Sequence, residues 1–166
     1  MSTPDVHSSL ARLFSELVDG AGTPAGGFIL NSGDAGLLKS LDRLSPDDAS
    51  RSANQGATIA AHAQHLRYGL SLMNKWATEG GNPFADAKWD EAWQVTDVDA
   101  AAWQEIRSGL RDEVHRWLEV LGSGKAVSGA ELTGIISSVA HLAYHLGAIR
   151  QINKDARGPK EGTFSA

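Results

Sequence analysis

Six histidines carry most of the chemistry open to this chain, and two pairs of them are closely spaced. His141 and His145 stand four residues apart, and His62 and His65 stand three apart. On a helix, side chains at those intervals leave one face about a turn apart. Imidazoles so placed can grip a divalent transition-metal ion, and a facing helix can contribute a further ligand. The plainer reading of either pair is a wet helix face or a hydrogen-bonded core histidine, and spacing alone does not choose between them. Small residues lie around both pairs: Ala61, Gly69, Gly134, Ser138, Gly147 and Ala148. They leave room for a cavity that a fully packed apolar layer would fill. Tyr68, a turn beyond His65, and Tyr144, next to His145, read either as supports of such a site or as core and rim aromatics. His7, in a first helical turn, and His115, among Arg111, Asp112 and Glu119, read as solvated.

Three other chemistries lack their signatures. A di-iron bundle wants Glu-x-x-His twice, whereas the nearest match is a single Asp112-x-x-His115 on a polar face. Gly122-Ser-Gly-Lys125 has the flavour of a phosphate loop, but Glu119 and Ala126 stand at its defining positions and no strand precedes it. A Gly-x-Ser-x-Gly nucleophile elbow does not occur in the chain.

The elements that would position the histidines are helical. Thr3-Pro4-Asp5 offers a cap, a first-turn proline and an early acid, and Val6, Leu10, Leu13, Phe14 and Leu17 follow at helical spacing up to Gly20. Residues 20 to 33, with five glycines and a proline, predict a loop. Phe28-Ile29-Leu30 could be extended within it, but so short a run makes no sheet. Leu37, Leu38, Leu41 and Leu44 predict a short helix ending near Ser45-Pro46-Asp47. A second long helix is expected over about residues 55–78, with the stripe Ile59, His62, Leu66, Gly69/Leu70, Met73 and Trp76. A third is expected over about 98–121, burying Trp103, Ile106, Leu110, Val114, Trp117 and Leu121. The fourth is expected over about 128–155, burying Leu132, Ile135, Val139, Leu142, Leu146 and Ile149. Between the second and third lies an irregular stretch carrying Trp89 and Trp93, which could cap one end of the molecule or be covered by a second copy of the chain. The pattern implies an all-α fold, a single four-helix-bundle domain over residues 1–166 with long connecting loops and a short extra helix.

Composition narrows the function classes. At 166 residues with 42% hydrophobic and 21% charged residues, the chain has the make-up of one globular domain. Its net charge of −5 speaks against a nucleic-acid footprint. The one basic cluster, Lys154, Arg157 and Lys160, reads as a solvated helix end. Apolar runs are short, so no membrane span is expected, and the first residues lack a secretory leader, which implies a cytoplasmic protein. There is no cysteine. Disulfides, thiolate ligands and a cysteine nucleophile are therefore excluded, and any thiol chemistry needs a thiol from outside the chain.

The segment Ala140-His-Leu-Ala-Tyr-His-Leu-Gly-Ala-Ile-Arg150 resembles the last-helix signature of the DinB/YfiT-like superfamily of bundle metalloproteins, a His-x-x-x-His pair followed by a glycine. Ile59-Ala-Ala-His-Ala-Gln-His-Leu-Arg-Tyr68 is similar to that family's second helix, which carries one histidine before an aliphatic residue. His65, followed by Leu66, matches that position better than His62, followed by Ala63. Ile29-Leu-Asn-Ser-Gly-Asp34 with Gly36-Leu-Leu38, and Trp89-Asp-Glu-Ala-Trp93, also look like one branch of the family, so the likeness runs from about residue 10 to 153. It implies a divalent ion, zinc or nickel, on His65, His141 and His145. It further implies a thiol-dependent transferase or isomerase, with a low-molecular-weight thiol such as bacillithiol or mycothiol attacking a small electrophile. A metal-dependent hydrolase and a non-catalytic metal-binding stress-response protein are the alternatives. Many members carry Arg-Gly-Gln after the second histidine; here Leu146-Gly147-Ala148 stands instead, so contacts made by those polar groups do not transfer.

Overall fold

A computed structural model describes residues 3–22, 26–124 and 128–160. The leader reading at Met1 and Ser2 and the phosphate-loop lysine, Lys125, lie outside the described residues, as do the side chains of Thr3-Pro4-Asp5 on which the cap reading rested. The described residues form seven helices and no strand: α1 (Thr3–Asp19), α2 (Gly36–Asp42), α3 (Pro46–Ala49), α4 (Ile59–Glu79), α5 (Trp89–Ala92), α6 (Ala100–Gly122) and α7 (Gly129–Ile152), followed by a 3-10 turn (Lys154–Ala156). The fold is all-α.

Side-chain caps fix the starts of the three long helices that follow the loop region. Thr58 accepts from Ala61 N, Asp99 from Ala102 N, and Ser128 closes a reciprocal box with Glu131. The short helix α2 ends at Asp42, shortly before Ser45-Pro46 as expected, and Ser45-Pro46 is in addition a start. Ser45 accepts from Asp48 N while the Asp48 carboxylate accepts from Ser45 N, so the chain turns into α3. Packing then follows the apolar stripes. Helix α4 lies most extensively against α6 and also along α7, and α1 packs on both α6 and α7. The α6 stripe is buried at every expected position, Trp103 to Leu121, and the α7 stripe at all but the half-buried Leu132. Each large core side chain contributes about 1.5–3 kcal/mol of transfer free energy. The two buried indoles keep their N–H groups paired, Trp103 with Leu44 O and Trp117 with Ser138 Oγ.

By length and composition α7 is apolar enough to cross a membrane, with a mean hydropathy of 1.3 over its best window. The short-run reading of the sequence missed this because the apolar residues are interleaved with glycine, serine and histidine. The same helix packs its Ile135–Ile149 stripe into the core.

Two polar anchors fix the long first loop. Glu16 is buried, and its carboxylate accepts from the backbone N–H groups of Phe28, Ile29 and Leu30 at 2.9, 2.7 and 2.6 Å. Those three residues therefore bend around one carboxylate rather than extend. A side chain on Gly27 would collide with that carboxylate. At the loop's end Asp34 forms a two-pronged ion pair with Arg150 of α7, at 2.9 and 2.7 Å, and also accepts from Gly36 N. Gly20 and Gly36 cross there with φ of +100° and +74°, and a Cβ on either would strike backbone.

Burial raises the Glu16 pKa, but the three N–H donors and nearby Arg12 outweigh it, so the group stays below its ordinary 4.5. A carboxylate depressed on folding stabilises the protein above its unfolded pKa, and that contribution is lost as pH falls through the folded value. Glu16→Gln should therefore cost about 1–3 kcal/mol at pH 7 in urea unfolding, and the gap to wild type should close in acid. Asp34→Ala leaves the half-buried Arg150 without its partner and should cost about 2–4 kcal/mol by the same measurement.

Candidate metal centre

The seam between α4 and α7 brings four histidines together. His65 Nε2 lies 3.2 Å from His141 Nε2, and His141 Nε2 lies 2.9 Å from His145 Nε2. The three candidate ligand nitrogens all fall within 4.8 Å of one another. Two nitrogens bound tetrahedrally to one zinc ion, at about 2.0–2.1 Å each, are separated by about 3.3 Å. The cluster therefore matches the expected ligand set and could hold one ion. It contains no carboxylate.

His62 belongs to the same group but faces elsewhere. Its Nδ1 sits 2.8 Å from His145 Nδ1, on the side of that ring turned away from the other two ligands. If His145 offers Nε2 as a lone pair, its proton resides on Nδ1 and is donated to His62. Such a partner fixes both tautomer and ring orientation. His62 and His65 thus occupy two different positions, His65 within the cluster and His62 behind it.

The histidines differ in exposure. His65 and His145 are buried, whereas His141 is exposed. Burial pushes His65 down to about 4, with His141 and His62 adding to the shift. It pushes His145 down to about 3, with His141, His62 and His65 adding. Burial also lowers His62 and His141. All four are accordingly neutral near pH 7, the form in which imidazole binds a metal.

The Trp89–Trp93 segment is the wall of this site. Trp93 stacks on His65 with ring centres 4.2 Å apart and meets His62 edge-on at 5.3 Å. Trp89 lies 5.5 Å from His65 and packs edge-on against Tyr68. The Nδ1 of His65 is buried without a hydrogen-bond partner, so stacking on Trp93 takes over the orienting role that His62 plays for His145. The spacing of the two indoles was visible in the sequence, but not their approach to α4 from a segment with only one helical turn. Tyr68 spends its hydroxyl as acceptor for Lys88 N, and the exposed Tyr144 meets His145 ring edge to face.

His115 is exposed, as expected, but His7 is not. His7 is 2% exposed, and neither ring nitrogen has a hydrogen-bond partner. The inward stripe of α1 runs His7, Leu10, Phe14 and Leu17 rather than starting from the half-buried Val6, a one-residue rotation that places the histidine inside.

Comparison of the chain with protein-family models, with curated proteins and with solved structures finds no match.

The two kinds of position predict different losses. His65→Ala, His141→Ala and His145→Ala should each abolish stoichiometric zinc or nickel binding in competition with a chromophoric chelator. His62→Ala should leave the stoichiometry intact and weaken affinity by about 10–100-fold.

Proposed function

We propose that the chain is a metal-dependent enzyme of the DinB/YfiT-like kind, a four-helix bundle that joins an exogenous low-molecular-weight thiol to a small electrophile. His65, His141 and His145 would hold one zinc or nickel ion. The observation that carries this reading is the convergence of three neutral Nε2 atoms beside a cavity lined by His141. A closed structural site fills every tetrahedral position with protein side chains, whereas three imidazoles leave one open. A bound divalent ion supplies a Lewis-acid position at which a thiol or a water loses its proton more readily.

The chain's own residues support the thiol over hydrolysis. A hydrolase profits from a side chain placed to take a proton from water. The cluster includes no carboxylate, and the Tyr68 hydroxyl is engaged with the Lys88 backbone. Having no cysteine, the chain must receive its thiol from solution, and the exposed His141 marks the side from which it arrives. His62 and Trp93 hold His145 and His65 in place, and the packing of α7 on α4 positions the two ligand-bearing helices. The length and order of α1, α4, α6 and α7 support the bundle reading.

Elemental mass spectrometry of tag-free protein should find about one zinc or nickel ion per chain, since three imidazoles leave room for one ion. The loaded protein should consume a chromogenic electrophile only when thiol is added. Ester hydrolysis without thiol would assign the site to the hydrolases instead. Loss of fold on chelation, with no turnover of either kind, would make the protein a metal-stabilised binder. Absence of stoichiometric metal after reconstitution would end the enzyme reading.

A further inference from the structure

The cavity beside the histidines has a chemical character of its own. It occupies about 430 Å³ between α4 and α7, within the range of pockets that enclose a small molecule. Its walls include Leu70, Met73, Trp76, Phe84 and Trp89, and His141 stands at one end. Gly69, Gly134 and Ser138, small residues flanking the histidine pairs, line it; Gly147 opens onto a different surface pocket.

Its polar groups are largely committed within the protein. The Ser137 hydroxyl donates to Thr133 O, and that of Ser138 donates to Ile135 O while accepting from Trp117 Nε1. The Glu131 carboxylate accepts from Ser128 N in the cap of α7. Among the described residues no lysine or arginine lines the cavity, and His141 and Glu131 are its ionisable ones. A carboxylate or phosphate on the body of a ligand would lose water here without gaining a counter-charge, which is costly. Aromatic faces and aliphatic side chains instead favour flat or alkyl surface.

We infer that this cavity binds the uncharged, aromatic or alkyl body of the substrate and directs its reacting end to His141. The inference rests on the reading of the histidine cluster as the reactive centre, and it names the class of electrophile: apolar and neutral away from the reacting atoms.

Metal-free protein separates this inference from the metal reading, because a carboxylate competitor could itself ligate an ion. The uncharged fluorophore N-phenyl-1-naphthylamine is titrated into it, then displaced with 1-naphthalenemethanol or with 1-naphthoate, which are nearly isosteric. The probe should bind one per chain, and naphthoate should compete more weakly than the alcohol by about tenfold or more. Gly134→Phe should weaken the probe by a similar factor and Gly134→Leu by less, because a Cβ at Gly134 meets nothing within 4 Å and the larger side chains would occupy the cavity. Circular dichroism checks that both variants keep their helices, as replacing a helical glycine should allow. Failure of the probe to bind, equal competition by naphthoate, or unchanged affinity in folded Gly134 variants would overturn the inference. Metal content, measured on the same wild-type preparation, judges the proposed function separately.

Discussion

Four neutral imidazoles share the seam between α4 and α7, and the local structure must make that arrangement tolerable. Burial favours the uncharged rings, which then have few protons to share. The proton on Nδ1 of His145 can satisfy His62, but this leaves Nε2 of His145 as a bare lone pair beside His141 and His65. One N–H on His141 can be given to only one neighbour at a time. A divalent cation would satisfy three converging lone pairs together. The cluster could hold such an ion.

The surrounding packing determines how firmly the ligand set is held. Helix α4 rests on the indole-rich stripe of α6, so the helix carrying His62 and His65 has a stiff backing. Helix α7 is tied near its far end by the Arg150–Asp34 pair, whose two side chains are 16% and 3% exposed. That pair couples α7 to the first loop, which Glu16 bends into shape through three backbone donors. Residues distant from the histidines in sequence thus restrain the helix that carries two of them. Such supports matter because misplacement of a ligand by about 1 Å is enough to spoil a site.

The long helices were legible because their apolar residues recur with helical period and their caps are conventional. Trp103 through Leu121 on α6 occupies the face the spacing implied. His141 and His145 were legible as a pair for the same reason. Elsewhere local signals were ambiguous. Ser45-Pro46 can end one helix or begin another, and reciprocal bonding with Asp48 decides for a beginning. Val6 and His7 each fit an amphipathic stripe on α1, and only docking of that helix selects the histidine. The separate places of His62 and His65 were likewise hidden in the spacing, since both lie on the inward surface of α4 and the distinction comes from what each meets, His62 the Nδ1 of His145 and His65 the Nε2 of His141. Nor does the Trp89–Trp93 segment advertise its place against the site, because a single helical turn between loops carries no periodic signal.

The unequal exposure of the histidines gives the site a direction. His145 lies deepest, held by His62 on one side and next to His141 on the other. His65 lies under Trp93, leaving His141 as the exposed member of the cluster and the one lining the apolar cavity. A reactant approaching this centre therefore meets His141 first, with aromatic and aliphatic walls along one approach. Polarity is concentrated at the histidine end, and the cavity running from it along α4 and α7 is chiefly apolar. That asymmetry suits a molecule with one reactive end and a hydrophobic remainder. On the proposed function, it would also give binding energy a place to act away from the reacting atoms, positioning the reactive end at the cluster.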